Sequence, residues 1–95
     1  GAITNNNNTY DELFEHLKDK QFAKMRQWVV NNIDIDSAAI FRGIYDRMLV
    51  SVSPNSVPQV VLTLADYSYK AAFVADAELN TVACLTELMM NVEFK

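Results

Sequence analysis

The sequence predicts an all-α domain, a five-helix antiparallel bundle, from three observations. Only two glycines and two prolines occur among the 95 residues, and an all-β domain needs more turn residues than that. Apolar residues recur at spacings of three and four, which places them on one face of a helix. No segment alternates apolar and polar residues in the way that is typical of a half-buried strand. A chain of this length is expected to form one hydrophobic core.

The first eight residues are expected to be disordered or to derive from cloning rather than from the folded domain. Asn5 to Asn8 form a polar tract that predicts a linker or a frayed start. Gly1 in place of Met suggests a residue left after removal of a tag. Residues 9–95 are then expected to form a single domain.

Two helices are expected in the first third of the chain. The first begins at Thr9, because Thr9 and Glu12 form a T-x-x-E capping box. Its apolar stripe consists of Tyr10, Leu13, Phe14 and Leu17. The second helix is expected over about residues 20–31. Its inner face consists of Phe22, Met25 and Val29, with Trp28 beside them.

The third helix is expected to begin after an aspartate cap, Asp34 or Asp36, and to run to about Val50. Its broad apolar face consists of Ile40, Phe41, Ile44, Tyr45, Met48 and Leu49. The clearest loop of the chain follows, because residues 53–56 read Ser-Pro-Asn-Ser.

Two more helices are expected after this loop. The fourth covers residues 57–75, with Ser56 as its cap and Pro58 tolerated in its first turn. The fifth covers residues 77–91, with Asp76 as its cap.

Both of these helices carry apolar residues on two sides at about 100° per residue. One side of the fourth holds Val57, Val61, Leu64, Ala71, Ala72 and Ala75, and the other holds Leu62, Tyr69 and Phe73 beside Asp66. One side of the fifth holds Leu79, Val82, Ala83 and Met90, and the other holds Leu85, Leu88 and Val92. A helix that is apolar all round is either central in its bundle or shared with a partner. Both interpretations stay open for the fourth helix.

The second side of each helix supplies the candidates for an interface with another subunit. These candidates are Leu62, Tyr69, Phe73, Leu85 and Leu88. Tyr69 and Phe73 are the strongest of them, because large aromatic side chains dominate interface energetics. Their spacing of four places them side by side on a helix.

No residue pattern in the chain predicts catalysis, a metal site or a bound cofactor. The Gly-rich turn of a P-loop and the glycines of a nucleophile elbow are both missing from the sequence. His16, the sole histidine, is expected on a solvated helix face, and Cys84, the sole cysteine, is expected to be a buried small hydrophobe. Asp34 and Asp36 are explained better as helix caps than as a metal pair. The chain is therefore expected not to be an enzyme.

The net charge and the hydropathy of the chain argue against a nucleic-acid-binding protein and a membrane protein. The net charge is −4 and the eight lysines and arginines are scattered, whereas a nucleic-acid reader usually carries a basic patch. No apolar run reaches the length of a membrane span, and no signal-peptide pattern opens the sequence. We expect no direct nucleic-acid or membrane binding, and a cytoplasmic setting in a bacterium or a phage-infected host.

The stretch from Leu64 to Leu85 resembles the C-terminal domain of replication-factor-C-like clamp-loader small subunits. Residues 64–72 read LADYSYKAA, in which Tyr69-Lys70 matches the family's aromatic residue followed by Arg or Lys. The family then shows Gly, a small residue, Asn or Asp, and a helix rich in Leu and Gln. Residues 74–76 read VAD and residues 78–80 read ELN, so Val74 stands where the family usually has glycine.

The looser resemblance covers about residues 10–88, and the closing MMNVEFK is similar to the end of a phage T4-type subunit. The resemblance implies a helical collar domain that holds subunits together and has no catalytic role. The parent protein would be an AAA+ ATPase that uses ATP and magnesium, in modules absent from this chain, to load a sliding clamp onto primer-template DNA during DNA replication. Its partners through the collar would be other clamp-loader subunits.

Two alternatives from other classes remain. A free-standing helical adaptor would bind a partner helix or peptide in a groove. A small regulatory enzyme is disfavoured, because the sequence offers no catalytic constellation. A P-loop encoded upstream of residue 1 would favour the clamp loader, whereas a reading frame that begins near Thr4 would favour the adaptor.

Overall fold

A computed structural model describes residues 6–95 and confirms the predicted all-α class. Its helices are α1 Asn6–Lys18, α2 Phe22–Asn32, α3 Ser37–Ser51, α4 Val57–Ala71 and α5 Ala77–Asn91, with a 3₁₀ turn at Pro54–Ser56. Within the described residues there are thus five α-helices and no named strand. Most of the boundaries predicted from the sequence lie within a few residues of these.

The first helix begins earlier than predicted, so the capping box at Thr9 is wrong. α1 starts at Asn6, which makes part of the asparagine tract helical, while residues 1–5 lie outside the described residues. The Thr9 carbonyl oxygen accepts a hydrogen bond of 2.9 Å from the indole N–H of Trp28.

A tight turn separates α1 from α2. Lys20 adopts a left-handed conformation with φ 56°, and the Gln21 N–H donates to the His16 carbonyl at 2.8 Å. This six-residue closure is the usual way to satisfy the last carbonyls of a helix. The Lys20 ammonium donates to the Met89 carbonyl at 2.9 Å, which ties the turn to the end of α5. The second helix therefore starts at Phe22 rather than at residue 20.

Of the caps predicted for the last three helices, two are confirmed and the Ser56 cap is wrong. Asp36, rather than Asp34, accepts the Ala38 N–H at 3.1 Å, and Asp76 accepts the Leu79 N–H at 3.0 Å. Ser56 makes no side-chain cap to α4. Its hydroxyl oxygen accepts the Glu93 N–H at 2.9 Å instead, because the C-terminal segment returns to this corner.

The C-terminal segment is fastened to the connection between α3 and α4. The Ser53 N–H donates to the Glu93 carbonyl at 2.8 Å, and the Lys95 N–H donates to the Ser51 carbonyl at 3.0 Å. These bonds flank an isolated antiparallel bridge between Val52 and Phe94. The Phe94 ring lies 6.4 Å from the ring of Phe14 on α1. The last residues of the chain thus belong to the domain.

The core is built around α5, not around α4. α5 packs against α4, α2 and α1, and it buries Asn80, Thr81, Cys84, Leu85, Leu88 and Met89. α4 packs between α3 and α5 and buries only Val60, Thr63 and Leu64. The interpretation of the fourth helix as the central one is therefore wrong. α4 also ends at Ala71, four residues before the predicted end, and among the residues that the structure describes nothing covers its outer side.

Candidate partner-binding surface

The outer side of α4 presents a row of exposed apolar side chains. Val60, Thr63 and Leu64 point into the domain, and residues about half a helical turn away point outward. Leu62 is 67% exposed, Tyr69 is 70% exposed and Phe73 is 71% exposed. Ala65 lies between them and is also exposed. We call Leu62, Ala65, Tyr69 and Phe73 the α4 face.

Tyr69 and Phe73 form an aromatic pair at the end of this face. Their ring centroids are 5.1 Å apart and their planes are inclined by 57°, which is a favourable geometry for two aromatic rings. Phe73 lies just beyond the last helical residue, in a turn closed by its own N–H donating to the Lys70 carbonyl at 2.9 Å. Although α4 ends at Ala71, the two rings still lie side by side, as their spacing of four predicted.

Leu85 and Leu88 do not belong to any exposed face, and their assignment as interface candidates is wrong. Both side chains are completely buried within the domain. The two sides of the fifth helix are the reverse of those expected, because Leu79 and Met90 are 67% and 69% exposed. Because α5 carries apolar residues on both sides, its local sequence does not indicate which side faces the core. The packing of α1, α2 and α4 around α5 determines which side is buried.

A polar row separates the α4 face from α5. The Lys70 ammonium lies 3.0 Å from the Asp66 carboxylate and 4.8 Å from the centre of the Tyr67 ring. The Tyr67 hydroxyl donates to the Glu87 carboxylate of α5 at 3.2 Å. Burial raises the pKa of the Tyr67 hydroxyl, and this hydrogen bond raises it further. The hydrogen bond to Asp66 raises the pKa of Lys70. Asp66 and Lys70 therefore neutralise each other within the domain, while the Glu87 carboxylate is hydrogen-bonded to Tyr67.

An apolar groove runs along the other flank of the α4 face, between α3 and α4. It encloses about 550 Å³, and Phe41, Tyr45, Val61, Ala65, Ser68 and Ala72 are among its lining residues. Arg42 at its edge lies 5.2 Å from the centre of the Tyr45 ring and 3.1 Å from the Asp46 carboxylate. This groove was not predicted from the sequence. The signal that could have revealed it is the run of small residues Ala65, Ser68 and Ala72 at spacings of three and four.

The residues considered for chemistry lie apart from one another. His16 is partly buried on α1, 3.7 Å from the Glu12 carboxylate, so its helix face is less solvated than expected. Cys84 is completely buried, as expected, and burial raises the pKa of its thiol to about 12. A protonated, inaccessible thiol is a poor nucleophile. The described residues contain no group of three or more His, Cys, Asp or Glu side chains placed to hold a metal ion.

The chain matches no model of a known protein family and no curated protein. Within residues 6–95, no helix has both the length and the apolar character needed to cross a bilayer.

Proposed function

We propose that this chain is an oligomerisation domain, the collar of a replication-factor-C-like clamp-loader small subunit of the phage T4 type, and that the α4 face contacts a neighbouring subunit. The observation that carries the proposal is the exposed aromatic pair Tyr69 and Phe73 at the end of α4, which no other part of the described residues covers. The same helix carries the Tyr69-Lys70 motif that resembles the family.

The energetics favour a protein partner for this surface. A fully buried aromatic side chain removes about 150–250 Å² from water, and these two rings are about 70% exposed. At about 25 cal/mol per Å², covering each ring contributes roughly 3 kcal/mol. Aromatic residues surrounded by smaller apolar contacts are the usual hot spots of protein interfaces. Leu62 and Ala65 supply such contacts on the same face.

In this proposal the domain assembles subunits and does not catalyse. ATP and magnesium would bind in AAA+ modules that precede the collar in the parent protein, and the sliding clamp and primer-template DNA would be contacted only through the parent. The net charge of −4 supports a collar that does not itself bind nucleic acid. A replication protein of this kind would act in the cytoplasm of a bacterium or of a phage-infected host.

A double substitution tests the assignment of the α4 face. Tyr69→Ser with Phe73→Ser, in the full-length subunit, should weaken subunit assembly about 100-fold or more, because two hot-spot side chains are lost. The melting temperature of the isolated domain should change little, since both side chains are exposed. Val50→Ser is the matched control, because Val50 is 71% exposed but lies on α3 away from this face. Unchanged assembly of the double variant would refute the proposal, as would a large loss of domain stability.

The α3–α4 groove favours a second candidate, a free-standing helical adaptor that binds a partner helix or peptide. A groove of about 550 Å³ floored by small residues can accept one apolar face of a helix. Ser68→Leu would fill this groove and should block such an adaptor while leaving collar assembly through the aromatic pair largely intact. A P-loop in the reading frame upstream of residue 1 would decide for the clamp loader.

A further inference from the structure

Residues 93–95, which we call the strap, lie across the connection between α3 and α4. Two hydrogen bonds join main chain to main chain: the Ser53 N–H donates to the Glu93 carbonyl, and the Lys95 N–H donates to a carbonyl of the connection. In a third bond the Glu93 N–H donates to the Ser56 hydroxyl oxygen. Every one of these bonds uses the main chain of the strap, so any other extended segment can make the same bonds.

The side chains of the strap contribute a single anchor. Glu93 and Lys95 are exposed, and neither takes part in an ion pair found within residues 6–95. Phe94 is half-buried, and its ring centre lies 6.4 Å from that of Phe14 on α1. Three hydrogen bonds and one ring therefore hold the strap in place.

The anchoring ring does not fill the space available to it. Beside Phe94 lies a hollow of about 390 Å³ between α1, the end of α3 and the strap. Its lining includes Phe14, Lys18 and the carboxylates of Asp11 and Glu15. A larger ring with an N–H at its edge, such as an indole, suits this hollow better than the phenyl ring does, because carboxylates accept hydrogen bonds.

The strap can detach without moving α5. Val92, the residue before it, is buried and donates its N–H within α5. Val52 forms the antiparallel bridge with Phe94 and is only 1% exposed. Detachment of the strap uncovers Val52 together with the Ser53 N–H and the Ser56 hydroxyl. We call Val52, Ser53 and Ser56 the slot, which combines an apolar floor with hydrogen-bonding groups as an extended segment requires.

We propose that the strap opens while the helices stay folded, and that the slot binds an extended segment of a partner protein with an aromatic residue at the position of Phe94. The strap is then an intramolecular competitor that keeps the slot closed until such a segment displaces it. The segment pairs antiparallel with the connection and makes the three main-chain hydrogen bonds of the strap. This site shares no residue with the α4 face, so it does not depend on the proposed function.

Amide hydrogen exchange of the unchanged 95-residue chain, followed by NMR at increasing urea below the unfolding transition, tests the opening. The Ser53 N–H donates to the strap, so it should exchange about 100-fold faster than the Ile44 N–H in the middle of α3. Its rate should also depend little on urea, because opening of the strap exposes little surface. The rate at Ile44 should rise steeply with urea, as expected for global unfolding.

Capped peptides of sequence VEFK, VEWK and VESK test the slot. They are titrated into the Phe94→Ser chain, whose strap lacks its anchor, while the amide shifts of the slot are recorded by NMR. VEFK should shift these amides, VEWK should bind several-fold more tightly because its indole fills the hollow, and VESK should leave them unchanged. The unchanged chain should bind VEFK at least about 10-fold more weakly, because its own strap competes at a high local concentration. Leu79→Ser is the matched control, since Leu79 is 67% exposed on α5, and it should behave as the unchanged chain does.

Three results would overturn this proposal. If Ser53 exchanges as slowly and with the same urea dependence as Ile44, the strap opens only when the whole domain unfolds. Failure of the Phe94→Ser chain to fold would lead to the same conclusion. If VEFK shifts no amide of the slot, or VESK shifts them equally, the slot does not recognise an aromatic segment.

Discussion

Gly43 on α3 has a specific packing role that a substitution can measure. The Tyr10 ring from α1 lies directly over this glycine. A Cβ atom placed at Gly43 would lie 2.5 Å from Cζ and 2.9 Å from Cε2 of Tyr10, and it would also contact the hydroxyl oxygen. The ring is held in place from two sides, since its centre is 5.8 Å from that of Trp28 and 5.7 Å from the Arg47 guanidinium carbon.

Gly43→Ala is therefore expected to destabilise the domain, although alanine is the better helix former. Alanine in place of glycine in a helix interior contributes about 1 kcal/mol of stability. Overpacking against a held ring costs about 1–3 kcal/mol. The expected net loss is roughly 1 kcal/mol in the free energy of unfolding. In a Tyr10→Ala background the clash disappears, so the same substitution should stabilise the domain by about 1 kcal/mol.

The assay is urea unfolding followed by far-UV circular dichroism on the two single variants, the double variant and the unchanged chain. The change of sign corresponds to a coupling energy of about 2 kcal/mol between the two positions. Ala39→Gly is the matched control, because Ala39 is exposed on the same helix and should cost about 1 kcal/mol in both backgrounds. If Gly43→Ala stabilises the unchanged chain as much as the Tyr10→Ala variant, the close approach of the two helices is refuted.

The other predictions concern the helix caps and the buried thiol. Asp36→Ala and Asp76→Ala should each lower the free energy of unfolding by about 1 kcal/mol, whereas Asp34→Ala should have no comparable effect, because the Ala38 N–H is accepted by Asp36. An equal loss for Asp34→Ala would contradict the assigned cap. Because burial raises the pKa of Cys84 from 9.0 to about 12, the unfolded chain releases this proton before the folded one, and stability falls as pH rises above about 9. At pH 10 the loss from this group is about 1.4 kcal/mol relative to neutral pH. Cys84→Ala should remove this part of the loss in the free energy of unfolding, measured by urea unfolding at neutral pH and at pH 10. If the variant and the unchanged chain show the same pH dependence, the raised pKa of Cys84 is refuted.

Helix existence and type followed from the sequence because they depend on local spacing. The scarcity of glycine and the three- and four-residue apolar spacing predicted five helices. Asp76 predicted the start of the fifth correctly, whereas for the third the sequence left Asp34 and Asp36 open and the structure selects Asp36. The aromatic pair also followed from its spacing of four, although Phe73 lies beyond the end of α4 in a turn closed by its N–H and the Lys70 carbonyl. These features can be predicted without knowing which helices pack against one another.

The role of Ser56 depended on a partner that is distant in sequence. The Glu93 N–H donates to the hydroxyl oxygen that was expected to cap α4. A side-chain cap is worth about 1 kcal/mol. A tertiary hydrogen bond of similar strength can therefore use the capping group elsewhere.

The choice between core and surface on α4 and α5 was decided by tertiary structure alone. Both helices carry apolar residues on two sides, and the side chosen from the sequence as the exposed one was correct for α4 and wrong for α5. Burying α5 among three other helices placed Leu85 and Leu88 inside and left Leu79 and Met90 outside. The physical reason is that hydrophobic burial is non-directional. Either side of such a helix can enter the core, and the neighbouring helices determine which one does.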